Sequence, residues 1–481
     1  MAPWPGETWP TATPESQGLD SDVLASAVRL IRSENINIHS ILLIRNGFSV
    51  LDVSFYPYDG KRLHDIASVT KSVTASLVGQ AVSEKSLPDL NTPVLRVLDQ
   101  ETPDPLQGEW GELTLENLVT MSSGLECGAP PLEEKIFIMR SSADWVKAAL
   151  NLPVTVKPGA KFDYCSPNFH LLSAALQRAT GTSLASYARE HLFAPIGIRE
   201  YKWPADPQGI NVGWGDLRLH PADMARIGYL YLRDGRFRDR QVLPEGWVEA
   251  ATTPKLAVNG GDADYGYGWW LARGKFKGVY EARGRGGQGI SVWPQADIVL
   301  VTTGGGYDRD TVIEALLPAV RANRALPENP GGMENLGRAV AQALMAPEPG
   351  PVPALPPMSG RISGRLFTLK ANPLGLEDFS MVFKTGVPEA ELAASISGRR
   401  YLYTVGLDGV YRFSETSPSG DPAALRGRWE ASERFSLDYN EITRINRFRL
   451  VFTFSGDTVT LTYSEPTGQI TGEIKGIRDK R

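Results

Sequence analysis

The chain has 481 residues, 42% hydrophobic and 22% charged, enough for two or three units with full cores that need no staples. Its net charge of -5 and pI near 5.7 provide no basic stripe for a phosphate backbone, which argues against nucleic acid as a partner. No run approaches the roughly 18 apolar residues that span a bilayer, the N-terminus has no signal-peptide pattern, and Cys127 and Cys165 are too few for a disulfide framework or a zinc site. The expectation is a cytoplasmic protein, with no membrane partner and in a reducing compartment, a single bridge between the two cysteines being left open.

Residues 38–56 predict two strands joined at Asn46-Gly47, a dipeptide suited to a two-residue type I′ turn. From Ser68 to Ser83, Val69, Val73, Leu77 and Val78 recur at three- and four-residue spacing, which predicts a buried helix. Residues 115–250 read as mostly helical. Strand patterns return at 265–271, 276–282, 288–294 and 297–303, followed by helical patterns at 311–324 and 333–346. Strands, a helical insert of roughly 85–255, then strands and helices again predict an α+β domain over 1–346 with an antiparallel sheet. Prolines crowd 347–357, an extended linker. Beyond it the period is two, with hairpins expected at 402–413 and 452–463. Residues 358–481 are therefore expected to form a separate all-β barrel or sandwich.

Three segments could carry chemistry. Ser68 and Lys71, three apart at the start of the buried helix, share a face. A serine hydroxyl needs a base to become a nucleophile, and a buried lysine can serve as its free amine. The plain alternative is an N-capping serine with a surface lysine one turn on. Tyr164, in Lys161-Phe162-Asp163-Tyr164-Cys165-Ser166, is either a core residue or a proton relay whose pKa would fall beside a lysine ammonium. The string Gly284 to Gly289 matches G-x-G-x-x-G but precedes a strand pattern instead of opening a helix, which speaks against a dinucleotide site. Such glycines suit a strand along which a substrate lies, or a plain hairpin loop. The five histidines, His39, His64, His170, His191 and His220, form no ligand-spaced pair and read as structural, and there is no G-x-S-x-G elbow or H-E-x-x-H. No metal or organic cofactor is expected.

Ser68-Val69-Thr70-Lys71, then Tyr164-Cys165-Ser166, then the Gly-rich strand start resemble, in order, the motifs of class C β-lactamase-like serine hydrolases. Penicillin-binding proteins, D-aminopeptidases, family VIII carboxylesterases and 6-aminohexanoate-dimer hydrolases belong to that family. Thr120-Met121-Ser122-Ser123-Gly124-Leu125, Leu192-Phe193-Ala194-Pro195-Ile196-Gly197 and Tyr265-Gly266-Tyr267-Gly268-Trp269-Trp270 are similar too. The resemblance covers about residues 14–345. It implies a β-lactamase/transpeptidase-like fold with Ser68 as nucleophile, Lys71 and Tyr164 as base and acid, and the backbone N–H groups of Ser68 and Arg285 as oxyanion hole. Ser166 stands where the family commonly has Asn, and Ala282-Arg283-Gly284 where it usually has Lys or His, Thr or Ser, then Gly. Ser166, Arg283, Gly284 and Gly286 would then line the substrate, with Arg283 or Arg285 as a bidentate carboxylate partner. The expectation is a cofactor-free esterase or amidase acting on a small ester, amide or short peptide. The alternatives are a β-lactamase or D-amino-acid peptidase on the same machinery, or a silent binding protein of this fold. Self-association through the C-terminal β-domain is the further expectation.

Overall fold

In the computed structural model, residues 3–99, 110–128 and 133–479 are described. The chain divides into two compact units, Met1–Val53, Gly60–Gly304 and Asp308–Val340 on one hand, and Ser54–Asp59, Gly305–Tyr307 and Ala341–Arg481 on the other.

The first unit opens with α1 (Ser21–Ser33), the hairpin β1 (Ile38–Arg45) and β2 (Phe48–Ser54), then β3 (His64–Asp65) and α2 (Val69–Ser83). Its helical lobe holds α3 (Val94–Leu98), α4 (Leu115–Val119), α5 (Glu134–Ser141), α6 (Trp145–Leu150), α7 (Pro167–Thr180) and α8 (Leu184–Ala188). Next come β4 (Arg218–Leu219), α9 (Pro221–Leu232), the ribbon β5 (Arg236–Phe237) and β6 (Arg240–Gln241), and α10 (Trp247–Ala251). The chain then returns to the sheet with β7 (Leu256–Ala257), β8 (Ala263–Tyr265), β9 (Trp270–Ala272), β10 (Tyr280–Gly284), β11 (Gln288–Trp293) and β12 (Ile298–Gly304). The last two helices are α11 (Arg309–Leu316) and α12 (Pro330–Leu344).

Eight strands form one antiparallel sheet in the order β2-β1-β12-β11-β10-β9-β8-β7. Asn46 and Gly47 both take positive φ, 51° and 83°, as a type I′ turn requires. β1 is buried along its whole length because both sheet faces are covered. Leu42 and Ile44 join the core that α2 and α9 build, while Leu43 and Leu300 meet Ile313 and Leu316 of α11. The α+β antiparallel architecture is as expected. Three element boundaries differ. The strand expected at 276–282 runs as β10 from Tyr280 to Gly284, after a 3-10 turn at Gly274–Phe276. The strand expected at 265–271 is broken into β8 and β9 by a turn at Gly266–Gly268, and the helix expected at 311–324 ends at Leu316, where Pro318 enforces a 3-10 turn.

The second unit contains an extended stretch, 346–356, in which Pro347, Pro349, Pro351, Pro353 and Pro356 prevent helix and strand alike. α13 (Pro357–Ile362) then leads into β13 (Leu366–Leu369), β14 (Leu376–Phe383), β15 (Glu389–Ile396), β16 (Arg399–Gly406) and β17 (Arg412–Ser414). β18 (Ala423–Ala431), β19 (Arg434–Glu441), β20 (Arg447–Ser455), β21 (Thr458–Ser464) and β22 (Thr471–Arg478) complete it. Sequential antiparallel pairing, β13 to β22, and a parallel bridge from Gly406 of β16 to Arg426 of β18 close nine strands into a barrel, with β17 appended to β18. The 452–463 hairpin is β20–β21, in register from Arg449↔Ser464 to Ser455↔Thr458. The hairpin expected at 402–413 does not form: β16 pairs with β15, and β17 with β18. Between them Asp408 accepts the amide of Val410 and both terminal nitrogens of Arg412, turning the chain away from β16. Stacked phenylalanines, Phe367 on Phe379 and Phe452 on Phe454, fill part of the interior.

Candidate active site

The site starts from α2, which is buried from Val69 to Ala81 on every face although it carries serines, threonines and a glutamine. A wholly buried helix must satisfy those groups internally. Ser72 Oγ donates to the Gly268 carbonyl at 2.6 Å, Thr74 Oγ1 to Gly213 at 2.8 Å, and Gln80 Nε2 to the carbonyls of His191 and Val242. Glycines make the approach possible. Gly268 has φ 76°, and a Cβ there would stand 2.9 Å from Ala75 Cβ and 3.1 Å from the Lys71 carbonyl. That is the physical content of the Tyr-Gly-Tyr-Gly-Trp-Trp stretch: it lies on the backbone of α2 beside Lys71.

Ser68 occupies the N-cap position of α2 but makes no capping hydrogen bond. Its Oγ instead accepts from Lys71 Nζ at 2.9 Å, so the plain capping alternative does not hold. The preceding residue, Ala67, is held at φ 46°, its N–H donating to Asp65 Oδ1 at 2.8 Å. A non-glycine residue in this region is costly and marks a backbone fixed by its surroundings. Ser68 itself is partly exposed, so its hydroxyl is within reach of a substrate.

Lys71 is 2% exposed and also donates to the Trp214 carbonyl at 3.1 Å. Burial pulls its pKa down to about 7, against the opposing pull of Glu133 and Asp216. Its Nζ lies 4.7 Å from the centre of the Tyr164 ring, and the Tyr164 hydroxyl lies beside the side chains of Ser68 and Ser166. The expectation that the Tyr164 pKa falls is corrected. Burial first, and then the Glu133 charge, push the phenol up, which leaves it a proton donor near neutral pH. Trp270 stacks on Tyr164 at 6.0 Å and Phe162 packs against Trp270 at 5.7 Å, an apolar wall on this side.

Ser166 heads α7, and its partner is a residue that sequence reasoning missed. Glu133 accepts the Ser166 N–H at 2.6 Å and its hydroxyl at 3.0 Å. Burial raises the carboxyl pKa of Glu133, partly offset by Lys71. No sequence motif marks a glutamate 33 positions before its partner, and only the departure from Asn at Ser166 hinted that another group completes this corner. Asn168 does not replace that Asn: it is fully buried, with its amide 3.8 Å from Met121 Sδ.

On the sheet side Gly284 ends β10. A Cβ on it would sit 2.6 Å from the Ile66 carbonyl and 3.1 Å from Ala67 Cβ, so only glycine lets the strand end meet the segment before Ser68. Arg285, Gly286 and Gly287 make a 3-10 turn in which Gly286 and Gly287 take φ 80° and 92°. The glycine string is thus a turn into β11, with no helix behind it. Arg283 does not offer its fork to a substrate. It is held bidentately by Asp262 at 2.8 and 2.9 Å and by Glu281 at 2.8 Å, above the ring of Trp270.

The histidines lie elsewhere. His39 and His64 touch at 2.8 Å, a tertiary pair that sequence spacing cannot reveal, and burial lowers the pKa of His64 to about 4. His170 is bound to Asp206 at 3.0 Å. Among the described residues no cluster of His, Cys, Asp and Glu could hold a metal ion, and no helix is long and apolar enough to cross a membrane. Cys127 and Cys165 are bonded to each other, with Cα atoms 5.4 Å apart, so the thiol pair expected of a reducing compartment is not what the structure holds. The bond ties the segment between Tyr164 and Ser166 to the chain after α4.

The antiparallel sheet with a helical lobe beside it defines the class: a β-lactamase/transpeptidase-like fold. Residues 35–312 match the Beta-lactamase family, and the chain belongs to it. Among curated relatives, the 6-aminohexanoate-dimer hydrolase of Paenarthrobacter ureafaciens is 27% identical over 161 residues, 31% of this chain and 41% of that protein. The D-aminopeptidase of Brucella canis is 27% identical over 228 residues, 42% of this chain and 41% of that protein. The chain therefore matches less than half the length of either. EstCE1, described as a hydrolase with promiscuous acyltransferase activity, superposes with a TM-score of 0.53 at 15% identity, covering 62% of this chain and 99% of that one, a likeness of fold.

Proposed function

We propose that the protein cleaves a small ester or amide through an acyl intermediate on Ser68. The observation that carries this is the Lys71 amine, buried, with a pKa near 7, and 2.9 Å from the Ser68 hydroxyl. As a free amine, Lys71 takes the Ser68 proton while Oγ attacks the carbonyl carbon. The N–H groups of Ser68 and Arg285 receive the oxyanion, a role supported by the close approach of Gly284 to Ile66. Tyr164 then donates its phenol proton to the leaving alkoxide or amine and is reprotonated from the Lys71 ammonium. A water repeats the sequence on the acyl-enzyme, releasing the acid. The aromatic wall of Phe162, Tyr164 and Trp270 suits an apolar acyl or leaving group.

Efficient β-lactam turnover is not part of this reading. The position where the family usually carries a cation for the β-lactam carboxylate is Ala282, and Arg283 is already neutralised by two acids. A second reading, an amide or D-peptide substrate with a free amine, is favoured by Glu133, a carboxylate next to Ser166 and within the field of Lys71 and Tyr164. The names of the two curated relatives fit it. A panel of p-nitrophenyl esters and of p-nitroanilides with and without a free amine separates the two. Turnover of the esters alone supports the first reading, preference for amine-bearing anilides the second, and turnover of none of them by folded wild-type protein contradicts both.

A further inference from the structure

Residues 162–165, which carry Tyr164 up to the head of α7, belong to no helix or strand. A proton donor on such a stretch has no hydrogen-bond ladder to hold it. Yet a misplacement of about 1 Å at a reacting group can cost roughly a hundredfold in rate. Something other than regular secondary structure must fix the ring.

The stretch after α4 supplies it. Backbone bonds tie that stretch to the chain that approaches Tyr164: Glu126 N–H to the Pro153 carbonyl at 2.9 Å, Thr155 N–H to Gly124 at 2.9 Å, and Gly159 N–H to Ser122 at 2.8 Å. The last such bond before Tyr164 runs from the Asp163 N–H to the Met121 carbonyl at 2.8 Å. After Tyr164 the ties pass to side chains. The Cys165 N–H reaches Met121 Sδ at 3.4 Å, a weak acceptor, and Ser166 bonds Glu133. The covalent tie is Cys165 to Cys127, 38 positions apart in sequence. Tyr164 is thus clamped on both sides, by a hydrogen bond before it and a disulfide after it. Cys127 is 4% exposed and Cys165 1%, both within the core of the helical lobe, so the sulfurs themselves are out of a substrate's way. A unit of this size with such a core needs no covalent staple to fold. What calls for an account is where the bond sits, directly beside the proton donor.

We propose that the Cys127–Cys165 bond is a positioning element of the reaction: it holds the Tyr164 hydroxyl at the leaving group, and without it the step that needs a proton from Tyr164 slows more than the attack by Ser68. The proposal rests on the roles given above to Ser68 and Tyr164.

The test compares kcat/KM for p-nitrophenyl butyrate and phenyl butyrate, which form the same acyl-enzyme and differ in the leaving group. Nitrophenolate leaves with little help, whereas phenolate calls for a proton. In Cys127→Ser/Cys165→Ser the nitrophenyl ester should lose less than about threefold and the phenyl ester about tenfold or more. Tyr164→Phe should show the same split, and adding the cysteine substitutions to it should cost little more, because the bond then has no hydroxyl to place. Should the cysteine variant not fold, Cys127→Ala/Cys165→Val, which leaves an apolar contact where the sulfurs were, carries the same comparison. Equal losses on the two esters, no loss on either, full additivity with Tyr164→Phe, failure of both cysteine pairs to fold, or a wild type that turns over the nitrophenyl ester alone would each overturn the proposal. Ser68→Ala run alongside separates this from the reading beneath it: if that variant matches wild type, or wild type turns over neither ester, the acyl-Ser68 reading itself fails and the positioning proposal falls with it.

Discussion

The helix α2 of the first unit and the barrel of the second bury polar groups on opposite terms. Around α2 the serine and threonine hydroxyls have partners: Ser72 on Gly268, Thr74 on Gly213, Ser76 on the Ser72 carbonyl and the Tyr231 hydroxyl. In the barrel, the phenols of Tyr403 and Tyr439 border a cavity and lack well-aligned partners. A closed network fixes positions, and the Lys71 amine needs fixing, because proton transfer to it depends on its distance to Ser68. One region is built to hold a geometry, and the other leaves two phenols without well-aligned partners.

Four experiments press on that contrast. Lys71→Ala removes the base and should lower ester kcat about a thousandfold or more with the fold retained, as circular dichroism would report. A small loss would mean that another group takes the Ser68 proton. Gly284→Ala forces a methyl to within 2.6 Å of the Ile66 carbonyl, and the shift should lower kcat/KM about a hundredfold. Wild-type kinetics from that variant would detach the strand end from the oxyanion hole.

The third experiment reads the pH profile. Lys71 acts as free amine, so kcat/KM should rise with pH through the region of about 7. The Glu133 charge raises the Lys71 pKa, hence Glu133→Gln should lower it and move the rising limb to more acid pH by about one unit. A limb that stays in place would separate Glu133 from the amine. The smallest effects carry the comparison itself. Ser72→Ala strands the Gly268 carbonyl and should cost about 1–2 kcal/mol in denaturant unfolding, whereas Tyr403→Phe, which breaks no well-formed bond, should change stability by less than about 0.5 kcal/mol. Equal costs would erase the distinction between the two regions.

Sequence legibility followed the range of the interactions. Ser68 and Lys71 lie one helical turn apart, so local periodicity brings them together, and the turn at Asn46-Gly47 needs only its own two residues. The barrel strands could be counted from their period of two, but closure depends on a single bridge between Gly406 and Arg426 that no local pattern encodes. The hairpin expected at 402–413 failed for the same reason, since local turn residues compete there with the Asp408–Arg412 pair. Glu133 and the acids around Arg283 come from distant positions, and their effects on the site are tertiary. The direction of the Tyr164 pKa was misjudged because a neighbouring amine is visible in sequence while the degree of burial is not. The two cysteines could be counted, but their 5.4 Å separation could not.

The most direct test of the central claim is mass spectrometry on wild-type protein quenched during turnover of p-nitrophenyl butyrate, with Ser68→Ala alongside. The account predicts a butyryl adduct on the peptide that contains Ser68 and none in the variant. Turnover without an adduct on Ser68, or equal turnover by Ser68→Ala, would contradict it.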